Sequence, residues 1–330
     1  MLPATVFQNA FAGAGALWCA CRVFAVRHSG GIAAGLLLAI FLWGGSNTGV
    51  KFLVRTWPPI WTGGTRFVCA GLLLMLVLRC TRWLGPAETL TRDIKRGLWW
   101  RGGLSLAVYI AVFNWAVRLT AVSHVALYLG ASPVWALLWE GGSGLGRREL
   151  LKRYAAAALA LAGVVVLFWP TLWAGHSSLP GEVLGLAASV LWTHFGRQCR
   201  FLGGQLSGAA VTAETMWRAG LLLMVLAIPE AALQGISCTP WLLGVQAYCI
   251  VAGGVVAFLL WNNALRHWKT SEVYLFNNLI PLSTMLWAHF TLGEPMTSTF
   301  WVATALVASG VVLGQTNWQK LLAARWVPAE

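Results

Sequence analysis

Charged residues are scarce in this sequence: only 10% of its 330 residues are Asp, Glu, Lys or Arg. Soluble domains carry about a quarter charged residues, because their surfaces face water. Hydrophobic residues make up 58% of the chain, and the mean hydropathy is +0.70. The chain lacks the polar residues needed to cover a globular surface, so a soluble fold is excluded.

Catalytic and nucleotide-binding motifs are absent from the sequence as well. It contains no H-E-x-x-H, no G-x-S-x-G and no G-x-x-x-x-G-K-[ST] pattern. The usual residues of an intramembrane metalloprotease, a serine hydrolase or an ATP-driven pump are therefore missing. The seven cysteines show no C-x-x-C spacing, and we interpret them as packing residues. The sequence predicts no enzyme activity, no cofactor and no metal site.

Ten apolar stretches are long enough to cross a membrane. At a rise of about 1.5 Å per residue, about 20 helical residues span the roughly 30 Å hydrocarbon core. Because lipid offers no hydrogen bonds to the backbone, we expect helices. We predict an all-α polytopic membrane protein with ten transmembrane helices. The stretches are 31–54, 58–79, 98–117, 121–141, 154–173, 181–197, 208–228, 241–265, 271–292 and 298–317.

Basic residues exceed acidic ones by 13, and the excess falls on one side of the predicted topology. If ten helices alternate in direction, 18 of the 23 Lys and Arg residues lie on the side that holds both termini. The opposite side receives Lys51, Arg55 and Arg118, while Arg66 and Arg218 remain within helices. The positive-inside rule predicts that both termini are cytoplasmic. The charge thus indicates a lipid bilayer, and not nucleic acid, as partner.

Both ends of the chain are predicted to lie outside the ten spans. Residues 1–30 form an N-terminal extension, peripheral or disordered, and residues 318–330 form a cytoplasmic tail. A signal peptide carries basic residues before its apolar core, whereas here Arg22 and Arg27 interrupt and follow it. If residues 1–30 did insert in the membrane, there would be eleven spans and an external N-terminus.

The sequence repeats itself at a shift of about 148 residues. Asn114 is matched by Asn262, and Pro133 is matched by Pro281. These coincidences carry more weight than matches of Leu or Gly, which any two hydrophobic helices share. We interpret the four residues as structural residues of the repeat.

Each repeat contains five predicted helices, within residues 31–173 and residues 181–317. Because five is odd, the second copy enters the membrane from the opposite side, which gives two inverted repeats. Inverted repeats are common in secondary transporters, because two similar halves of opposite orientation can expose a central site to each side in turn. The repeat therefore favours a transporter over an enzyme or a receptor.

Six short motifs follow one another along the chain: Trp43-Gly44-Gly45-Ser46-Asn47, Pro58-Pro59, Arg66-Phe67, Ser132-Pro133, Leu145-Gly146-Arg147-Arg148-Glu149 and Leu292-Gly293-Glu294-Pro295. Their order, with the five-plus-five helix count, resembles the EamA-type branch of the drug/metabolite transporter (DMT) superfamily over about residues 31–317. The resemblance implies a ten-helix inner-membrane carrier. Its central cavity would be built mainly from helices one to four and six to nine.

Three charged residues stand inside predicted spans and away from the span ends; a charge costs about 2.5–3.5 kcal/mol at the bilayer centre. Glu214 and Arg218 are four residues apart on one helical face, where they can pair. Such a pair either only neutralises its own two charges, or it breaks and re-forms as substrate or a proton binds. Arg66 has no acid within a helical turn. It either binds a carboxylate or phosphate of the substrate, or reaches the membrane interface or helix carbonyls.

Polar residues also form a stripe on the ninth span. Tyr274, Asn277, Asn278 and Pro281 fall at i, i+3, i+4 and i+7, one face of an α-helix. In the fourth span, its repeat partner, Tyr128 and Trp135 lie on a similar face with His124 and Ser132, and Asn47 lies in the first motif. These residues either line a substrate cavity or bind neighbouring helices through hydrogen bonds. The predicted cavity residues are Asn47, Arg66, Tyr128, Trp135, Tyr274, Asn277 and Asn278.

These patterns predict a secondary transporter that exports small organic metabolites or drugs across the inner membrane by alternating access. A passive channel and a non-transporting membrane sensor or enzyme are the alternatives. Protons and a second copy of the chain remain open as partners. Substrate identity is not encoded in any motif of the sequence.

Overall fold

The computed structural model of the protein describes residues 29–81, 84, 88–120, 122–140, 146–172, 178–292 and 298–315. Within these residues there are ten helices and no strand. Seven of the helices are long and apolar enough to cross a membrane. Residues 1–28 of the predicted N-terminal extension and the tail at 318–330 lie outside the described residues, as do Gly293, Glu294 and Pro295 of the last motif. Ser29 and Gly30, which were predicted to belong to the extension, begin the first helix.

We number the helices α1 to α10 in chain order. The unbroken ones among them are α1 (Ser29–Leu53), α2 (Pro59–Cys80), α5 (Arg147–Leu172), α6 (Leu179–Gly203), α7 (Gly208–Gln234) and α10 (Ser298–Gln315). Helices α3 (Arg92–Leu119) and α8 (Pro240–His267) each include a π-helical segment, at Leu98–Gly103 and Cys249–Val256. Helix α4 is divided into Val122–Gly130 and Ser132–Glu140, and α9 into Thr270–Leu275, a 3₁₀ turn at Phe276–Leu279, and Ile280–Leu292.

Local sequence explains where several helices begin. Pro59 and Pro240 occupy the first helical turn, where the missing N–H costs nothing. Ser178, Ser207 and Thr239 accept hydrogen bonds from backbone N–H groups of the first turns of α6, α7 and α8. These caps satisfy donors that a helix leaves free at its N-terminus.

Helices α4 and α9 are interrupted at matching positions, just before Pro133 and Pro281. Proline removes a backbone donor and its ring crowds the carbonyl four residues earlier, so it breaks the α-helical pattern. The carbonyl that Pro133 frees in this way belongs to Leu129. It accepts a hydrogen bond of 2.9 Å from the side-chain amide of Asn277 on α9. The two interrupted helices thus stabilise each other at their breaks.

The two halves are related by an approximate twofold axis. Each helix of the first half corresponds to the helix five places later in the chain. Helix α2 packs on α7 and α5 packs on α10, while the contact of α3 with α6 is matched by that of α8 with α1. A Cβ on Gly71 would lie 2.3 Å from the backbone nitrogen of Trp217, and one on Gly220 would lie 2.4 Å from that of Val68. The crossing of α2 and α7 is therefore reciprocal and admits only glycine without a shift of the backbones.

Candidate functional site

A small cavity lies between the two halves, about halfway along the helices. Its volume is about 40 Å³, which is room for a few water molecules and well below the roughly 300–1,000 Å³ of organic-ligand pockets. The helices must therefore move apart before an organic molecule can enter. Seven helices, α1 to α4 of the first half and α6, α8 and α9 of the second, provide the lining. The lining residues are Trp43, Ser46, Asn47, Arg66, Tyr109, Ile110, Phe113, Leu129, Trp192, Gly253, Phe258, Asn277 and Ile280.

Arg66 is the charged residue of this lining. Its residue is 7% exposed, and its Nε has no hydrogen-bond partner among the described residues. The guanidinium carbon lies 4.7 Å from the ring centre of Phe67, the next residue of α2. That cation–π contact offsets part of the cost of burying the charge, and it leaves the N–H groups available to a ligand.

Asn277 and Asn47 provide neutral polar groups on the wall. The amide of Asn277 is fixed at both ends, because its nitrogen donates to the Leu129 carbonyl and its oxygen accepts from Trp192 Nε1 at 3.2 Å. Asn47 is partly exposed on α1 and makes no hydrogen bond among the described residues. Asn277 therefore holds a fixed geometry, whereas Asn47 offers both a donor and an acceptor to the cavity.

Aromatic residues fill the space on one side of the cavity. Trp192 is the centre of this group, with its ring centre 5.5 Å from those of Trp43 and Trp261 and 5.0 Å from that of Tyr109. Phe258 lies 5.1 Å from Trp43 in an edge-to-face arrangement. Such pairs add about 0.5–1.5 kcal/mol each beyond simple burial. The group therefore closes the cavity tightly in this conformation.

Four residues that the sequence predicted for the cavity lie elsewhere. Tyr128 donates to Glu182 Oε2 at 2.8 Å, and Trp135 donates from its indole to Ser189 Oγ at 3.0 Å. Tyr274 is fully buried and its hydroxyl donates to the Trp192 carbonyl, behind the cavity wall. Asn278 is also fully buried, and a Cβ on Gly130 would lie 2.8 Å from its side-chain oxygen. The expected stripe is divided because the 3₁₀ turn changes the rotation between Tyr274, Asn277 and Asn278.

Glu214 and Arg218 form an ion pair within α7, away from the cavity lining. Their residues are 7% and 4% exposed, respectively. Trp217 Nε1 donates to the Glu214 carboxylate at 2.9 Å, and Arg218 also donates to the Glu214 carbonyl at 2.8 Å. The guanidinium lies 4.4 Å from the Trp217 ring and 5.4 Å from the Trp99 ring. Both charges are thus compensated locally.

Asn114 and Asn262 hold the starts of α2 and α7. Asn114 Nδ2 donates directly to the carbonyl of Pro59, the first residue of α2, at 2.8 Å. Asn262 Nδ2 donates to Thr212 Oγ1 at 2.9 Å, and that hydroxyl donates to the carbonyl of Gly208, the first residue of α7. The repeat-related residues therefore make equivalent contacts, one direct and one through a threonine, and neither lines the cavity.

A polar cluster around Glu182 was not among the sites predicted from the sequence. Glu182 lies in the first turn of α6 and accepts from the hydroxyls of Thr120 and Tyr128. His124 Nδ1 lies 2.7 Å from its Oε1. The spacing of Thr120, His124 and Tyr128 at i, i+4 and i+8 was a signal for one binding face, but the sequence did not identify the acid that it faces.

Comparison with known proteins gives a consistent result along the whole described chain. Residues 30–169 and 179–314 each match the model of the family described as "EamA-like transporter family". Two relatives come from Escherichia coli (strain K12). One, "Uncharacterized inner membrane transporter YedA", is 26% identical over 288 residues, with 84% of this chain and 89% of the relative covered. The other, "Probable amino-acid metabolite efflux pump", is 21% identical over 295 residues, with 86% and 95% covered.

A solved crystal structure resembles the fold with a TM-score of 0.67 and 18% sequence identity, over 90% of this chain and 99% of the solved one. At this identity the likeness shows the fold alone. Together with the two matched ranges, it confirms the predicted fold class, an all-α polytopic membrane protein of ten helices in two repeats. The two matched ranges and the relatives also confirm the family resemblance that the sequence motifs indicated.

Proposed function

Because the chain belongs to the EamA-like transporter family, a family of transporters and not of enzymes, we propose that it is a secondary transporter that exports small organic metabolites or drugs by alternating access. That it is a multi-pass membrane transporter follows from the family. The mechanism, the direction of transport and the substrate class are the proposal.

The observation that carries the proposal is the position of the cavity. Its lining comes from both repeats and lies midway along the helices, and α2, which contributes Arg66 to it, also forms the reciprocal crossing with α7. Rocking of one half against the other about such a crossing would open the cavity to one side while closing it to the other. The aromatic group around Trp192 supplies a closing surface for one of these states.

The relatives support the direction and the location. One is named as an efflux pump and another as an inner membrane transporter. We therefore propose export across an inner membrane, with both termini cytoplasmic as the distribution of basic residues indicates. A homodimer is compatible with the many exposed apolar residues of α7, such as Leu221, Val225 and Leu226.

Proton coupling is proposed for the Glu214–Arg218 pair. Among the side chains that the structure describes, Glu214 is the one buried acid. A proton on its carboxylate would break the pair and free Arg218 to move. We expect Glu214→Gln to abolish pH-driven uptake in proteoliposomes and to preserve substrate counterflow. Asp93→Asn, at the exposed start of α3, is the matched control; pH-driven uptake that persists in Glu214→Gln would contradict this assignment.

The class of function is tested by flux measurements on the purified protein in proteoliposomes. A carrier gives saturable flux that is stimulated by substrate on the other side of the membrane. A passive channel gives flux without counterflow stimulation, and a membrane enzyme gives stoichiometric product. Unsaturable flux, or product formation, would overturn the proposal.

A further inference from the structure

The cavity contains one positive charge with nothing to balance it. Among the described residues, Arg66 makes no ion pair, and no Asp or Glu lines the cavity. Buried charges in membranes are normally paired or face an aqueous or ligand-filled space. The positive charge of Arg66 therefore has no negative partner among the described residues.

Three acids of the described helices have other partners. Glu214 pairs with Arg218, and Glu182 accepts from Thr120 and Tyr128. Glu230 accepts from the backbone N–H groups of Ile60 and Trp61 at the start of α2, the helix that carries Arg66. None of these three acids lines the cavity, so none of them balances Arg66 in this conformation.

The neighbouring cations are also occupied. Lys51 Nζ donates to the Val117 carbonyl at 2.8 Å, and Arg118 donates to the Val54 carbonyl at 2.8 Å. Both hold the ends of α1 and α3 together and neither lines the cavity. The cavity therefore presents a single positive charge, which matches a singly charged anion better than a doubly charged phosphate ester.

The rest of the lining is aromatic or neutral. Trp43, Tyr109 and Trp192 offer flat apolar surfaces, and Asn47 offers a neutral amide. An ammonium group would find no carboxylate on this wall. The free guanidinium of Arg66, in contrast, can bind both oxygens of a carboxylate at once.

We propose that the cavity selects organic monocarboxylates with an aromatic or other flat apolar body, and that Arg66 binds their carboxylate. The proposal deepens the transport function proposed above and rests on it. It distinguishes such acids from zwitterionic amino acids, whose ammonium group would have no partner on the wall.

The test uses probes that share one ring and differ in charge. Phenylacetate, phenylacetamide, phenethylamine, L-phenylalanine and phenyl phosphate are titrated into the purified full-length protein in detergent, and binding is measured by calorimetry. We expect phenylacetate to bind at least about tenfold more tightly than any of the others, which is a typical effect of a charge-assisted pair. Equal affinity for the amide, or tighter binding of the amine, would overturn the proposal.

Variants of Arg66 show whether this residue causes the preference. In Arg66→Gln the affinity for phenylacetate should fall to that of phenylacetamide, whose own affinity should change less than about threefold. Unchanged amide binding shows that the variant remains folded. Arg66→Lys should recover part of the preference, because it keeps the charge and loses the two-pronged geometry. Arg55→Gln removes a positive charge from an exposed position and should change nothing; a carboxylate preference that survives Arg66→Gln would refute the assignment.

Failure of the proposed transport function and failure of the monocarboxylate selectivity give different results. If phenylacetate binds through Arg66 but its flux in proteoliposomes is neither saturable nor stimulated by counterflow, the binding site stands and the carrier mechanism is wrong. If all five probes are transported with equal efficiency, the carrier stands and the monocarboxylate selectivity is wrong.

Discussion

Helices α2 and α7 occupy equivalent places in the two repeats, yet the buried charge is unpaired on one helix and paired on the other. Their glycines, Gly71 and Gly220, are 149 residues apart and each packs on the backbone of the other helix. In the same register Arg66 of α2 corresponds to Thr215 of α7. Helix α2 therefore has a single unpaired cation facing the cavity, whereas α7 has a compensated pair, Glu214 and Arg218, outside it.

This difference separates the requirements of the scaffold from those of the site. The crossing requires the two backbones to approach closely, and glycine allows this approach in both halves. The cavity, by contrast, is formed only once at the centre of the molecule, so its charge can come from one half alone. Substitutions at the crossing should therefore act symmetrically, and substitutions of the charged residues should not.

The largest effect is expected from breaking the pair on α7. Arg218→Gln leaves the Glu214 carboxylate buried with the indole N–H of Trp217 as its remaining side-chain partner, and we expect a loss of about 3–5 kcal/mol in the free energy of unfolding. Glu214→Gln should cost a similar amount. The double variant Glu214→Gln with Arg218→Met should recover most of the loss, because no charge is then left uncompensated. Denaturant titration in detergent measures all three; single variants as stable as the parent protein would show that the pair is solvated.

The crossing of α2 and α7 should give the next largest effect. A Cβ at Gly71 or Gly220 would lie within 2.4 Å of a backbone nitrogen, so Gly71→Ala and Gly220→Ala should each lower the free energy of unfolding by about 1–3 kcal/mol, and by similar amounts. Gly244→Ala is the matched control, since nothing lies within 4 Å of a Cβ there. Markedly unequal losses at Gly71 and Gly220 would contradict the reciprocal packing.

Much of the fold could be predicted from the sequence, because hydrophobic length and spacing are properties of the local chain. The ten spans and the two repeats follow from them. The interruptions before Pro133 and Pro281 were harder to predict in detail. A proline predicts a disturbance of the helix, but not its form, such as the short turn at Phe276–Leu279. The form also depends on which donor reaches the freed carbonyl, as Asn277 reaches that of Leu129.

The site was less predictable. Arg66 could be identified as a candidate because a lone charge in an apolar span is costly. Tyr109, Trp192 and Phe258 could not, because an aromatic residue in an apolar span gives the same pattern whether it faces lipid, a neighbouring helix or a cavity. Glu182 was not identified for a related reason: only packing of α6 on α4 brings it to His124, and no local pattern shows that contact.

Smaller and unequal effects are expected at the two asparagines that hold α2 and α7. Asn114→Ala removes the direct hydrogen bond to the Pro59 carbonyl and should cost about 1 kcal/mol. Asn262→Ala should cost less, because Thr212 still donates to the Gly208 carbonyl without it. Thermal unfolding of both variants in detergent gives the comparison, and Thr212→Val in the Asn262→Ala background should bring the two losses together. A larger loss at Asn262 would show that the threonine does not replace it.

The smallest effect on stability is expected at Arg66, although it is the residue most important for binding. Arg66→Gln removes a buried charge that has no partner among the described residues, so the free energy of unfolding should stay the same or rise by up to about 1 kcal/mol. Arg218→Gln, the same substitution on α7, should destabilise the protein strongly because it leaves an acid behind. Opposite responses of two buried arginines to one substitution would follow directly from Glu214, the acid that pairs with Arg218 and has no counterpart on α2. If Arg66→Gln destabilised the protein as much as Arg218→Gln, then Arg66 would have a structural partner, and the unbalanced charge from which the monocarboxylate site is inferred would not exist.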